Sequence, residues 1–110
     1  MAVQGFEKGL YYVIDVGSDF SVKNLFDVKK EVEHALMLDH MFVVFDLSTC
    51  MKFDSSALGL VANLGKKLSA KTGRTGLLKP SNEIRELLSV SDVTSFVKIY
   101  KTEEEVEADS

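Results

Sequence analysis

Residues 43–60 of the chain read VVFDLSTCMKFDSSALGL, and this stretch decides the fold. Phe42–Phe45 is an unbroken apolar run that ends at Asp46, a pattern typical of a strand covered on both faces in a parallel sheet. We therefore predict that this run is the central strand. A helix is predicted to begin at Ser55, because apolar residues recur from there at helical spacing. The apolar stripe comprises Leu58, Val61, Leu64 or Gly65, and Leu68, and it fades at Lys71.

Strand and helix patterns alternate on both sides of this stretch. Upstream, the predicted elements are a hairpin of Val3–Glu7 and Leu10–Val16 and an amphipathic helix over Val22–Leu38 with Ser21 as its N-cap. Downstream, they are a strand at Gly76–Leu78, a helix marked by Ile84, Leu87, Leu88 and Val90, a strand over Phe96–Tyr100 and a helix over Thr102–Ala108. This alternation predicts an α/β fold with a parallel-biased sheet and helices packed on it.

Length and composition indicate one folded domain spanning residues 1–110. Hydrophobic residues make up 45% of the chain and charged residues 27%, as in ordinary globular proteins. The net charge of -4 is opposite to what a phosphate-backbone binder needs, so no nucleic-acid partner is expected. The longest apolar stretch, Met41–Phe45, is too short to cross a bilayer, and the first residues do not resemble a leader. We therefore expect a cytoplasmic protein without membrane insertion.

Candidate reactive groups are sparse. Cys50 is the only cysteine, which excludes an internal disulfide and a CxxC pair. Cys50 and Met51 are expected to pack under the loop before the second helix rather than to react. The sequence shows no Gly-rich phosphate loop, metal-ligand cluster or nucleophile–base pair, so we expect no catalytic residues, no metal and no cofactor. The chain is predicted not to be an enzyme.

The chain carries two short motifs whose spacing resembles that of the STAS domain family. Asp46-Leu47-Ser48 ends the central strand, and Asp54-Ser55-Ser56 opens the next helix, as in the signature of that family. The family includes anti-sigma factor antagonists, the cytoplasmic tails of sulfate transporters and stressosome components. The resemblance covers essentially the whole chain. It implies a STAS-like mixed sheet of four to five strands with about four helices packed on one side.

The resemblance also implies a phosphorylation switch. In phosphorylated family members the first serine after the aspartate accepts the phosphate, and that serine is Ser55 here. The implied partner is an anti-sigma factor that is also a serine kinase of the histidine-kinase-like ATPase fold. The chain itself is expected to be a monomer or a weak dimer. The implied partner-binding face comprises Asp54, Ser56, Ala57, Leu60, Ser18 and Asp19.

Two positions depart from the family pattern. Antagonists of anti-sigma factors often carry Gly-x-Leu-Asp after the second strand, whereas this chain reads Gly17-Ser18-Asp19-Phe20, which displaces the aspartate. In the family this loop lies beside the serine, so the departure leaves the identity of the partner open. Ala57 replaces a glycine expected two residues after the phosphoserine, a mild change that favours the helix.

The key side chains also have structural interpretations. Asp54 or Ser55 could simply cap the helix, although a phosphate on Ser55 would be compatible with the positive end of the helix dipole. Leu60 is either an exposed contact or a half-buried helix residue. The chain as a whole could be an unphosphorylated scaffold or subunit of a larger assembly, such as a stressosome or a lipid-transport complex.

Overall fold

The structure, a computed structural model, describes residues 3–110, and its elements follow the predicted alternation of strands and helices. The strands are β1 (Gln4–Lys8), β2 (Tyr11–Asp15), β3 (Asp19–Phe20), β4 (Phe42–Asp46), β5 (Lys52–Phe53), β6 (Arg74–Leu78) and β7 (Lys98–Tyr100). The α-helices are α1 (Leu25–Met37), α2 (Ser55–Ala70), α3 (Asn82–Ser89) and α4 (Glu103–Asp109), and a 3-10 helix occupies Asp92–Ser95. The predicted α/β fold is confirmed.

The main sheet has five strands in the order β1-β2-β4-β6-β7. β1 and β2 form the predicted antiparallel hairpin, and Gly9 takes a positive φ of 63° in its tight turn. The other neighbouring pairs, β2–β4, β4–β6 and β6–β7, are parallel. β4 lies in the middle, and Phe42–Phe45 is buried throughout, so the prediction of a central strand covered on both faces is confirmed.

The helices are not all on one side of the sheet, which corrects the prediction. The larger core lies on one face of the sheet, where buried residues of α1, α2, α3 and the 3-10 helix pack together. α4 packs on the opposite face, where Val106 joins a second cluster with Phe42, Val44 and Tyr100. Side chains alternate between faces along a strand, so a strand that is apolar at every position requires cover on both sides. α4 supplies part of that second cover.

Helix α1 begins later than predicted, and Ser21 is not its N-cap. The helix starts at Leu25, after a turn in which the Asn24 N–H donates to the Ser21 carbonyl oxygen at 3.2 Å. The Asn24 side chain accepts from the Ser21 N–H at 3.0 Å and donates to the Val16 carbonyl at 3.2 Å. These bonds hold residues 21–24 as a turn, because a local side-chain acceptor competes with helical pairing of the backbone. Val22 is thereby displaced from the apolar stripe.

Candidate functional site

Asp54 joins two segments at the N-terminus of α2. One carboxylate oxygen, Oδ1, accepts a hydrogen bond from the Ala57 N–H at 3.0 Å, the geometry of an N-cap. The other, Oδ2, accepts from the Val22 N–H at 3.0 Å, across 32 residues of sequence. Asp54 is therefore the capping residue, and Ser55 is not needed for that role.

Strands β3 and β5 place the Ser18-Asp19 loop beside the loop that leads to Ser55. They pair in parallel, with Asp19 opposite Lys52 and Phe20 opposite Phe53. The Met51 N–H donates to the Ser18 carbonyl at 2.8 Å, and the Asp54 N–H donates to the Phe20 carbonyl at 3.3 Å. The structure thus brings together the two segments from which the sequence predicted site residues, although it did not predict the small sheet that joins them.

Ser55 is the first residue of α2 and is exposed. Ser56 follows it and is half-buried. The first N–H groups of a helix have no partner within the helix and carry partial positive charge. A hydroxyl at this position is accessible, and an anion attached to it would lie at the favourable end of the helix dipole.

The other predicted contact residues differ in their exposure. Ser18 is exposed and Asp19 is half-buried, with its Oδ1 atom enclosed and unbonded to any group in residues 3–110. Ala57 is completely buried, so the prediction that it contacts a partner is wrong for its side chain, which faces the core because α2 turns it toward the sheet. Leu60 is half-buried and packs against the larger core, in agreement with the structural interpretation of that residue.

Two apolar side chains near Asp54 are exposed, and the sequence did not identify them as surface residues. Met51 is 83% exposed, whereas packing under the loop was predicted for it. Val22 is 68% exposed, because the turn at residues 21–24 removes it from α1. Cys50 follows the prediction: it is buried, its Sγ donates to the Lys52 carbonyl at 3.2 Å, and burial raises the pKa of its thiol. An inert structural role for this cysteine follows from its burial.

The hydrogen bonds that Asp54 accepts favour its ionised form. The N–H groups of Ala57 and Val22 stabilise the charged carboxylate and hold the pKa of Asp54 below its ordinary value. Because the folded pKa is depressed, the resulting stabilisation is present above the unfolded-state pKa of about 4 and is lost as the pH falls through the lower folded value. The ionised carboxylate therefore fastens the Ser18–Val22 segment to α2 at neutral pH.

Asp54→Asn is expected to lower the free energy of unfolding at pH 7, because the amide has one oxygen acceptor where the carboxylate has two. The difference from wild type should shrink as the pH falls below about 4, because the wild-type carboxylate itself becomes protonated there. Urea denaturation at pH 7 and at acidic pH measures this difference, with Glu33→Gln at an exposed position of α1 as the matched charge control. This role of Asp54 would be contradicted if wild type and Asp54→Asn had the same free energy of unfolding at pH 7, or if the difference between them persisted unchanged in acid.

Residues 3–110 contain neither a metal-ligand cluster nor a membrane-spanning helix. No three His, Cys, Asp or Glu side chains in this range gather where they could hold a metal ion. None of the helices within it has the length and apolar character needed to span a membrane.

The STAS domain family model matches residues 6–106 of the chain. A protein of Thermotoga maritima, provisionally named as an anti-sigma factor antagonist, is 34% identical over 56 residues, which cover 51% of this chain and 50% of that protein. A homologue in Thermotoga neapolitana is 32% identical over 60 residues, covering 54% of this chain and 53% of that protein. The matched segments therefore span about half the length of these curated relatives.

Solved structures with the same fold match almost the whole chain. The Bacillus cell fate determinant SpoIIAA in its phosphorylated form has a TM-score of 0.77 and 22% identity, covering 99% of this chain and 100% of SpoIIAA. Its unphosphorylated form, described as an anti-sigma factor antagonist, has a TM-score of 0.75 and 23% identity, covering 98% and 96%. A Thermotoga maritima crystal structure has a TM-score of 0.83 and 22% identity, covering 97% and 92%. At these identities the comparison establishes the fold.

Proposed function

This chain belongs to the STAS domain family, and on that premise we propose that it is a regulator of the anti-sigma factor antagonist type. In this proposal the unphosphorylated chain binds a serine kinase of the histidine-kinase-like ATPase fold that acts as an anti-sigma factor. Phosphorylation of Ser55 ends that binding. The observation that carries the proposal is the exposed Ser55 hydroxyl at the first position of α2, on a helix already capped by Asp54.

Separation of the cap from the phosphoacceptor is what a switch of this kind requires. Asp54 supplies the N-cap hydrogen bond, so modification of Ser55 removes no bond that α2 needs. A phosphate carries a charge of about −1.5 to −2 at neutral pH and is tolerated at a helix N-terminus. The modification should therefore change the surface and leave the fold intact.

The charge on Ser55 would act on a surface that already carries Asp54 and Asp19. A phosphate added there would strengthen a local negative field, and it would meet apolar or acidic partner groups with a desolvation cost and repulsion. Exposed Val22 and Met51 beside this surface offer an apolar contact area to the unmodified state. Binding and phosphorylation would then exclude each other.

The names of two solved structures with the same fold support this proposal. SpoIIAA is described both as an anti-sigma factor antagonist and in a phosphorylated form. In this proposal the chain is a binding module without catalytic activity.

Incubation with the cognate kinase and labelled ATP is expected to label the wild-type chain and to leave Ser55→Ala unlabelled. Ser69→Ala is the matched control, because it removes an exposed hydroxyl near the far end of the same helix and retains Ser55. Mass spectrometry of the labelled peptide identifies the modified residue directly. Equal labelling of Ser55→Ala and wild type would show that another residue accepts the phosphate.

A scaffold role is the second candidate, and one observation favours it. Phe20, which stands where the family pattern often has aspartate, is fully buried against Phe45 and Phe53 at ring-centroid distances of 5.6 Å and 5.5 Å. The loop beside Ser55 therefore presents Ser18 and Asp19 instead of the usual residues. A scaffold would bind its assembly equally well as wild type and as Ser55→Asp, whereas a switch would not.

A further inference from the structure

Helix α2 contains two interior glycines, and among residues 3–110 close packing accounts for only one of them. A Cβ atom at Gly65 would lie 2.7 Å from Val97 Cγ2 and 3.0 Å from the Phe96 carbonyl oxygen, so close packing requires glycine there. A Cβ atom at Gly59 would meet nothing within 4 Å among the described residues. Glycine is the least favourable helix-interior residue after proline. Gly59 therefore weakens α2 without serving internal packing.

Gly59 lies in a groove that begins at the proposed phosphoacceptor. The groove has a volume of about 460 Å³ and runs between α2 and the 3-10 helix. Ser55 and Gly59 are four residues apart, about 6 Å along α2, and face the same side. The lining of the groove is completed by Leu58, Ala62, Lys66, Ser91, Asp92, Val93 and Phe96.

The lining of this groove includes both apolar and charged side chains. Leu58 and Ala62 are half-buried, and Phe96 is 37% exposed, so apolar surface remains open to solvent. Lys66 Nζ lies 5.7 Å from the centroid of the Phe96 ring, and exposed Asp92 is also part of the lining. Protein-binding surfaces commonly combine apolar contacts with charged and polar groups.

We propose that Gly59 is a point of close approach, where the kinase that acts on Ser55 seats an apolar side chain directly on the backbone of α2. The inference rests on the proposed function, since a kinase that brings the γ-phosphate of ATP to Ser55 must cover the surface within one helical turn of it. Glycine removes the methyl group that would otherwise stand between the partner and the helix. The unfavourable helix propensity of Gly59 is then explained by binding and not by folding.

Gly59→Ala separates stability from recognition. The melting temperature should rise by roughly 4 °C, because alanine favours the helix and its methyl group would meet no atom of residues 3–110 within 4 Å. Affinity for the kinase and the initial rate of Ser55 labelling should fall roughly tenfold, as expected for obstruction of a central contact. Gly59→Leu retains good helix propensity and should bind still more weakly, which tests the dependence on side-chain size.

The control is Ser69→Ala, an exposed position on the same helix about 21 Å from Ser55. It improves helix propensity in the same way but should leave affinity and labelling at the wild-type level. The probe is the serine-kinase activity purified from the organism of origin by its labelling of wild-type Ser55. Melting is followed by circular dichroism and affinity by titration calorimetry.

Each result bears on the inference. A higher melting temperature together with reduced affinity and labelling supports it. Unchanged affinity and labelling in Gly59→Ala, with wild type labelled on Ser55, overturns the inference and leaves the proposed function standing. A melting temperature below wild type overturns it too, because the glycine would then be required within the chain. If no fraction labels Ser55 in the wild type, the proposed function fails and the inference fails with it.

Discussion

Ser55→Asp is expected to weaken binding of the kinase roughly hundredfold, or about 3 kcal/mol, while the melting temperature stays almost at the wild-type value. Binding suffers because the new carboxylate lies on the surface proposed to meet the partner, beside Asp54. The fold is retained because Ser55 is exposed, Asp54 already caps the helix, and a negative charge in the first turn is favourable to the helix dipole. Titration calorimetry and differential scanning calorimetry of one preparation measure both quantities.

Two substitutions serve as controls for Ser55→Asp. Ser110→Asp adds the same charge at an exposed residue after α4, on the opposite face of the sheet, and should leave the affinity unchanged. Ser55→Ala should bind as tightly as wild type, because it removes a hydroxyl without adding charge. If Ser55→Asp melted far below wild type, the serine would be mainly a structural residue and the switch would lose its physical basis. If it bound as wild type, the scaffold role would be favoured.

The central strand could be predicted from the sequence, because its residues are apolar at every position and must be buried. The run Phe42–Phe45 has no polar face, and this alone placed it at the centre of a doubly covered sheet. The sequence did not show which helix covers which face, because α4 carries a single fully buried residue, Val106, and its pattern resembles that of any short surface helix. Assignment of faces depends on strand register, which appears only once the sheet is assembled.

The candidate site was predictable at Ser55 and less so around it. The Asp-Ser-Ser motif located the helix start at the correct residue. Contacts between distant segments could not be predicted from local sequence patterns. The hydrogen bond from the Val22 N–H to Asp54 spans 32 residues, and the pairing of β3 with β5 involves only two residues in each strand. Helical periodicity also predicted Val22 as part of α1, whereas local hydrogen bonds of the Asn24 side chain hold it in a turn.

Val44→Asp is expected to cost several kcal/mol of folding free energy, which approaches the whole stability of a domain of this size. Val44 lies in the central strand with no solvent exposure, between Val13 of β2 and Gly76 of β6. On its face of the sheet it packs with Phe42, Tyr100 and Val106, which offer little to stabilise a carboxylate. The charge would be buried without a partner, or the sheet would open to hydrate it.

Val90→Asp provides the matched control, because Val90 is 83% exposed and the same change there should alter stability by no more than about 0.5 kcal/mol. Urea denaturation of the three proteins gives the free energies of unfolding. Val44→Asp should also fail to bind the kinase, because the protein unfolds and no longer melts cooperatively. Ser55→Asp, by contrast, should fail to bind while it remains folded. A Val44→Asp protein that melted within a few degrees of wild type would contradict the doubly covered strand on which the sheet is built.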